Sequence, residues 1–257
     1  MSEDRELPLL PGAYELTIVP RVDCVLADAA RRAAAGADEG TLVWAGEQRA
    51  ARTRRGHAWE APAGNLHCAV VLRPEYDTGV GQQIATVAGV AAGAAVAEVV
   101  APMTGMGFRW PGDVLVNELL AGQVQLAAAP PAGGTWPWLV VGVSLNVAHH
   151  PENPEPEAYN SIHASGEAEH VRVVEVLELF ARHFLRWINI WAEEGYAPVR
   201  AAWLQRARDV GQPRRLELGP RTVSGTTRGI GEFGELLLDS GADRLQHVTI
   251  AEYHGLP

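Results

Sequence analysis

Apolar and polar positions in this chain fall into short runs and one long helical stripe, an order that predicts a mixed α/β fold. Tyr14 to Val19 reads as a first strand, and Ala27 to Ala35, rich in Ala and Arg with Gly36 behind it, reads as a helix with its stop signal. Thr41 to Ala45 and Leu66 to Leu72 are apolar runs of strand length, the second closed by Arg73 and Pro74. Val80 to Ala101 is apolar all round and ends at Pro102. It holds Gln82, Gln83 and Glu98, so it predicts a buried core helix and not a membrane span. Gly107 to Val116 predicts a strand bent at Pro111 and Gly112. Gln123 to Ala128 and Trp138 to Val147 predict a hairpin across a Pro/Gly loop at Pro130 to Pro137, and Pro151 to Gly166 reads as a polar loop.

Val173, Val176, Leu177, Phe180, Phe184, Trp187, Ile188 and Trp191 recur at three- and four-residue steps, which predicts an amphipathic helix with an aromatic core face. Gly195 ends it, and Pro198 opens another helix carrying Trp203 and Leu204. Beyond Gly211 the pattern changes to four short strand-like runs, Arg214–Leu218, Thr222–Thr227, Glu235–Leu238 and Leu245–Ile250, spaced by glycine as in a small barrel. The chain therefore divides into a larger unit over residues 1–210 and a small β unit over 211–257.

Composition narrows the function. A net charge of −10 over 257 residues argues against general nucleic-acid binding, which needs cations to displace counterions. Two cysteines, Cys24 and Cys68, make no disulfide framework and read as small core residues, and the acidic N-terminus is no signal peptide; a cytoplasmic protein is expected. All 21 basic residues are arginine. No mechanism that needs a lysine from this chain is open to it.

Against that acidic background, Arg49, Arg52, Arg54 and Arg55 crowd one loop closed by Gly56 and followed by Trp59, Pro62, Gly64 and Asn65. Guanidinium forks bind two oxygens at once, so the cluster suits a carboxylate or phosphate; the alternative is a solvated basic loop. His149-His150 lacks partners at ligand spacing and reads as a loop feature.

Three ordered blocks resemble the biotin protein ligases, within the wider biotin/lipoate ligase group. The arginine loop with W-E-A-P-A-G-N-L is similar to the family's G-R-G-R-R-G-R-x-W…G-x-N-L. Residues 109–116 followed by Leu120-Ala121-Gly122 are similar to K-W-P-N-D-x-L…K-x-A-G, and Gly142 to Val147 to G-x-G-I-N-V. The resemblance implies a mixed α/β catalytic unit related to the class II synthetases, with an SH3-like barrel behind it and no winged-helix domain in front. It implies ATP-dependent activation of a small carboxylic acid, biotin or a lipoyl or fatty acid, as an acyl-adenylate, then transfer to a lysine of an acceptor protein. ATP and Mg2+ would be cofactors, and a homodimer through a sheet edge is open.

The same resemblance implies site residues. Arg52 and Arg54 would meet phosphate and acyl-adenylate, Arg109 would supply charge, and Asp113 would face the metal. Gln48, Arg55, Gly56, His57, Trp59, Asn65 and Leu66 would line the ligand loop and its exit. Ala121, Gly122 and Asn146 belong to the other two blocks, and Trp110 would pack against nucleotide or, in preference, core. The chain also departs from the family. Leu119 stands where a lysine is expected, in a turn one residue shorter; Gly112 replaces an asparagine; Ala51 and Thr53 replace loop glycines. Cys24-Val25-Leu26 aligns with S-T-N, the motif that reads the biotin ring. A more apolar pocket wall suits a fatty or lipoyl-like acid better than a ureido ring. Loss of the lysine also leaves open a degenerate ligase that binds nucleotide or acid as a sensor or assembly partner.

Overall fold

The computed structural model describes residues 7–50, 61–152, 158–241 and 244–257. Its elements in order are β1 (Glu15–Val19), α1 (Val25–Ala34), β2 (Thr41–Ala45), β3 (Leu66–Leu72), α2 (Thr78–Gly81), α3 (Ile84–Val99), β4 (Met106–Arg109), β5 (Asp113–Val116), β6 (Leu119–Ala128) and β7 (Leu139–Leu145). After these come α4 (Val173–Glu194), α5 (Ala197–Leu204), β8 (Pro213–Leu218), β9 (Arg221–Ile230), β10 (Leu236–Asp239), β11 (Leu245–Val248) and α6 (Ile250–His254).

Seven strands form one sheet in the order β1-β2-β3-β7-β6-β5-β4, parallel only between β1 and β2. Successive side chains of a strand point to opposite faces. Leu66, Cys68 and Val70 of β3 and Val141, Val143 and Leu145 of β7 therefore share one face, which packs in the main core with α3 and α4. Ala69, Val71 and Val140 point the other way, where α1 covers them with Val25, Ala29 and Ala33.

The expected long helix over 80–101 is two helices. Gln82 and Gln83 lie at the break and are engaged elsewhere: Gln82 Oε1 accepts the Ala251 N–H at 2.9 Å, and Gln83 Oε1 accepts the Trp191 indole at 2.8 Å. Residues 78–99 are apolar and long enough to cross a membrane, but 83% of the most apolar window lies inside the protein. The helix is buried because it fills the space between sheet and α4.

Behind residue 210 a four-stranded antiparallel sheet, β11-β10-β9-β8, fits the barrel expectation. One run departs from it: Ile250 leads a helix, because the Thr249 hydroxyl accepts the Glu252 N–H and caps its start. The segment before β8 joins the first sheet. Phe108 donates to the Arg206 carbonyl and accepts from Arg208, so residues 206–208 cover the outer edge of β4.

Candidate functional site

The face of the seven-stranded sheet that carries α1 is only partly covered by it. In register beyond the α1 contact lie His67 of β3, Ser144 of β7 and Gln123 of β6, with Gln125 one step along. His67 Nδ1 lies 3.3 Å from Ser144 Oγ, and Gln125 Nε2 donates to Gln123 Oε1 at 3.3 Å. Val124 donates to the Gly112 carbonyl at 3.1 Å, which carries the row on to Asp113 at the start of β5. Val114 belongs to the main core, so Asp113 and its β4 partner Arg109 point to the polar face. Five strands thus present a polar strip between two apolar clusters. The α1 cluster bounds one side, and Ala61, Leu115 and Leu120, with Tyr159 against them, bound the other.

The strip ends in an ion pair. Arg109 sends both Nε and a terminal nitrogen to Asp113 Oδ2, each at 2.8 Å. The two side chains keep 26% and 17% of their surface, enough for a ligand to reach them. At the strip's other end, burial holds the His67 imidazole down at about 4, so it is neutral at pH 7.

Cys24, Val25 and Leu26 open α1 on this face. No side chain of Cys24 caps the helix; Gln48 does so from outside, its Oε1 accepting the Val25 N–H at 2.7 Å. Leu26 packs on Gly142, where an added Cβ would meet it at 3.1 Å. Gln48 also pairs with Val22 and with Ala61, so described residues from before position 51 and after position 60 meet beside α1. Arg52, Arg54, Arg55, Gly56, His57 and Trp59, expected at the ligand, lie outside the described residues, as do Ala51 and Thr53.

Asn65 and Asn146 hold the strand ends together. Asn65 Oδ1 accepts the N–H groups of Val147, Ala148 and His149 at 3.0, 3.1 and 3.0 Å, while Nδ2 donates to the His149 carbonyl at 2.9 Å. Asn146 donates from its side chain to the Asn160 carbonyl and from its backbone to Ala121. Three blocks far apart in sequence therefore meet at one end of the sheet. Leu66 is buried in the main core, and Gly122 passes so close to β7 that an added Cβ would lie 2.7 Å from the Ser144 carbonyl. Trp110 is fully buried, and its indole donates to the Gly234 carbonyl at 2.8 Å, which gives it the packing place favoured from sequence.

Leu119 starts β6 opposite Val116, at the far end of β5 from Asp113, about 10 Å of extended chain away. The shortened turn before it is a two-residue hairpin with positive φ at Asn117 (52°) and Glu118 (67°). Among the described residues no three His, Cys, Asp or Glu side chains gather as a metal cage. His67, Ser144, Gln123 and Gln125 escaped the reading of the sequence. Their signal was there, as polar residues on one parity of strands that are otherwise apolar.

The model of the biotin/lipoate A/B protein ligase family matches residues 10–205. The chain is 34% identical over 238 residues to the biotin--[acetyl-CoA-carboxylase] ligase of Paracoccus denitrificans, covering 91% of this chain and 98% of that one. A biotin protein ligase-like protein of unknown function from Silicibacter shares the fold with a TM-score of 0.79 at 24% identity, over 96% of this chain and 98% of that one. The Aquifex aeolicus biotin protein ligase, solved with biotin and ATP, gives a TM-score of 0.72 at 20% identity over 91% and 95%. Motif order, sheet topology and a relative of matching length agree: the chain belongs to the biotin/lipoate A/B protein ligase family.

Proposed function

We propose that this chain is an ATP-dependent protein ligase acting on biotin or a close structural relative of it. The acid's carboxylate attacks the α-phosphate of ATP and pyrophosphate leaves; the ε-amine of a lysine on an acceptor protein then attacks the acyl carbon of the adenylate, forming an amide, losing a proton and releasing AMP. The observation that carries this reading is the polar strip that runs from His67 through Ser144 and Gln123 to the Arg109–Asp113 pair, in a chain related over nearly its whole length to a biotin ligase. Ser144, Gln123 and Gln125, each partly exposed in front of the buried His67, offer donors and acceptors for a polar ring, and the pair offers charge for the phosphates.

Magnesium fits Asp113, since it binds through one or two carboxylate oxygens plus phosphates and needs no cage of protein ligands. The bonds that Asp113 takes from Arg109 both fall on Oδ2, which leaves Oδ1 to face a cation. When bound, the ion would neutralise charge on the triphosphate. Arg109 holds the carboxylate's orientation and adds a positive charge of its own. Cys24, Val25 and Leu26 make an apolar wall, so ring recognition falls to the strip and to Gln48. A second reading, a binder that does not complete transfer, is favoured by Leu119 alone.

ATP–pyrophosphate exchange with biotin, lipoate, octanoate and no acid in parallel tests this. Exchange with biotin, lowered at least about 100-fold in Asp113→Ala, is expected. Exchange with octanoate or lipoate alone would move the specificity to the apolar wall, and silence with every acid would leave the binder.

A further inference from the structure

The turn that carries Asp113 is gripped from outside its own sheet. Arg214, on β8, donates from one terminal nitrogen to the Trp110 carbonyl at 2.7 Å and from the other to Asp209 Oδ2. The same carboxylate oxygen accepts the Trp110 N–H at 3.4 Å, so acid and arginine hold both polar groups of one backbone residue. The Arg214 guanidinium also stands 5.9 Å over the Trp110 ring, and Tyr253 meets that ring edge-on at 4.8 Å. Trp110 directly follows Arg109 and precedes Asp113 by three residues, and its indole ties the same turn to the Gly234 carbonyl.

The arrangement costs more than simple packing would need. Asp209 is 7% exposed, its Oδ1 finds no hydrogen bond, and burial raises its carboxyl despite Arg214 and the nearby Arg109. A buried charge pair is a poor source of net stability, whereas it fixes geometry well. We propose that Arg214 and Asp209 are positioning residues that hold the backbone at Trp110, and so set the Arg109–Asp113 pair for a magnesium-bound triphosphate. This rests on the ligase reading. It makes the small C-terminal sheet a working part of the nucleotide site.

The experiment compares wild type with Arg214→Met, Arg214→Lys and Asp209→Asn, using the surface variant Arg228→Met as control, in exchange assays with varied MgATP and varied acid. A positioning role raises KM for MgATP about 10-fold in Arg214→Met and Asp209→Asn, the loss expected for a hydrogen bond to a charged group. The KM for the acid stays unchanged, and Arg214→Lys, which keeps the charge and reaches one partner, recovers part of the loss. Unchanged KM for MgATP in folded variants overturns the proposal, as does an equal change in both KM values, which a loosened fold would give. If wild type shows no exchange, the ligase reading fails, and MgATP titrated into the same proteins by calorimetry decides the clamp. About 10-fold weaker binding in Arg214→Met supports it, equal binding overturns it, and no binding by wild type overturns both.

Discussion

At the scale of single residues, a family motif and a structural need coincide. Asn65 stands in the G-N-L block and satisfies three consecutive backbone N–H groups at once. Asn65→Ala takes the acceptor from the Val147 and His149 N–H groups, while Ala148 keeps the Gly64 carbonyl, and is expected to lower unfolding free energy by about 1–3 kcal/mol, read by urea denaturation. His67 adds a dependence on pH. Its folded value near 4 lies below the ordinary imidazole value, so the unfolded chain takes up its proton first as pH falls. Stability from this residue is complete above about pH 6.5 and is lost progressively down to about pH 4, by up to about 3 kcal/mol. Denaturation midpoints for wild type should drop across that window more steeply than for His67→Gln. Parallel curves would contradict the assignment. Neither role was legible in the sequence, because a polar residue in a strand shows its parity but not its cross-strand partner.

Among the elements, the strands and helices came close to their expected bounds wherever periodicity was long, as in α4, or where an apolar run had clear stops, as in β2 and β3. The turn at residues 110–112 shows what pattern cannot convey. Gly112 looked like the loss of a family asparagine. In the fold it lies against α3, with its Cα 3.1 Å from where a Cβ on Gly89 would stand, and its own added Cβ would be 2.7 Å from Val124 Cβ. Helix and turn approach each other through paired glycines. Gly112→Asn should therefore not restore a family site. We expect it to cost about 1–3 kcal/mol by overpacking and to lower exchange activity with it, both measurable on the purified variant. A stable, more active variant would show that the turn has room for a side chain and would overturn this assignment.

The whole molecule packs both sheets into one core that includes the buried Trp110, and its composition constrains its chemistry. An acyl-adenylate acylates amines, and these 257 residues contain no lysine. Incubated with biotin, ATP and magnesium, the chain should carry no acyl group on any internal peptide by mass spectrometry, while an added acceptor domain with an exposed lysine is labelled. An internal adduct would reveal a nucleophile other than lysine. The sequence by itself determined the α/β order, the second β unit and the family, because periodicity, composition and ordered motifs are local properties of the chain. Only the tertiary structure decided that Gln48 caps α1, that Asn65 and Asn146 bind strand ends, that a polar strip crosses five strands, and that Arg214 reaches the turn before Asp113. Each of those depends on register and on contacts between residues up to 104 positions apart, as between Trp110 and Arg214, and such distances are set by how the sheet folds.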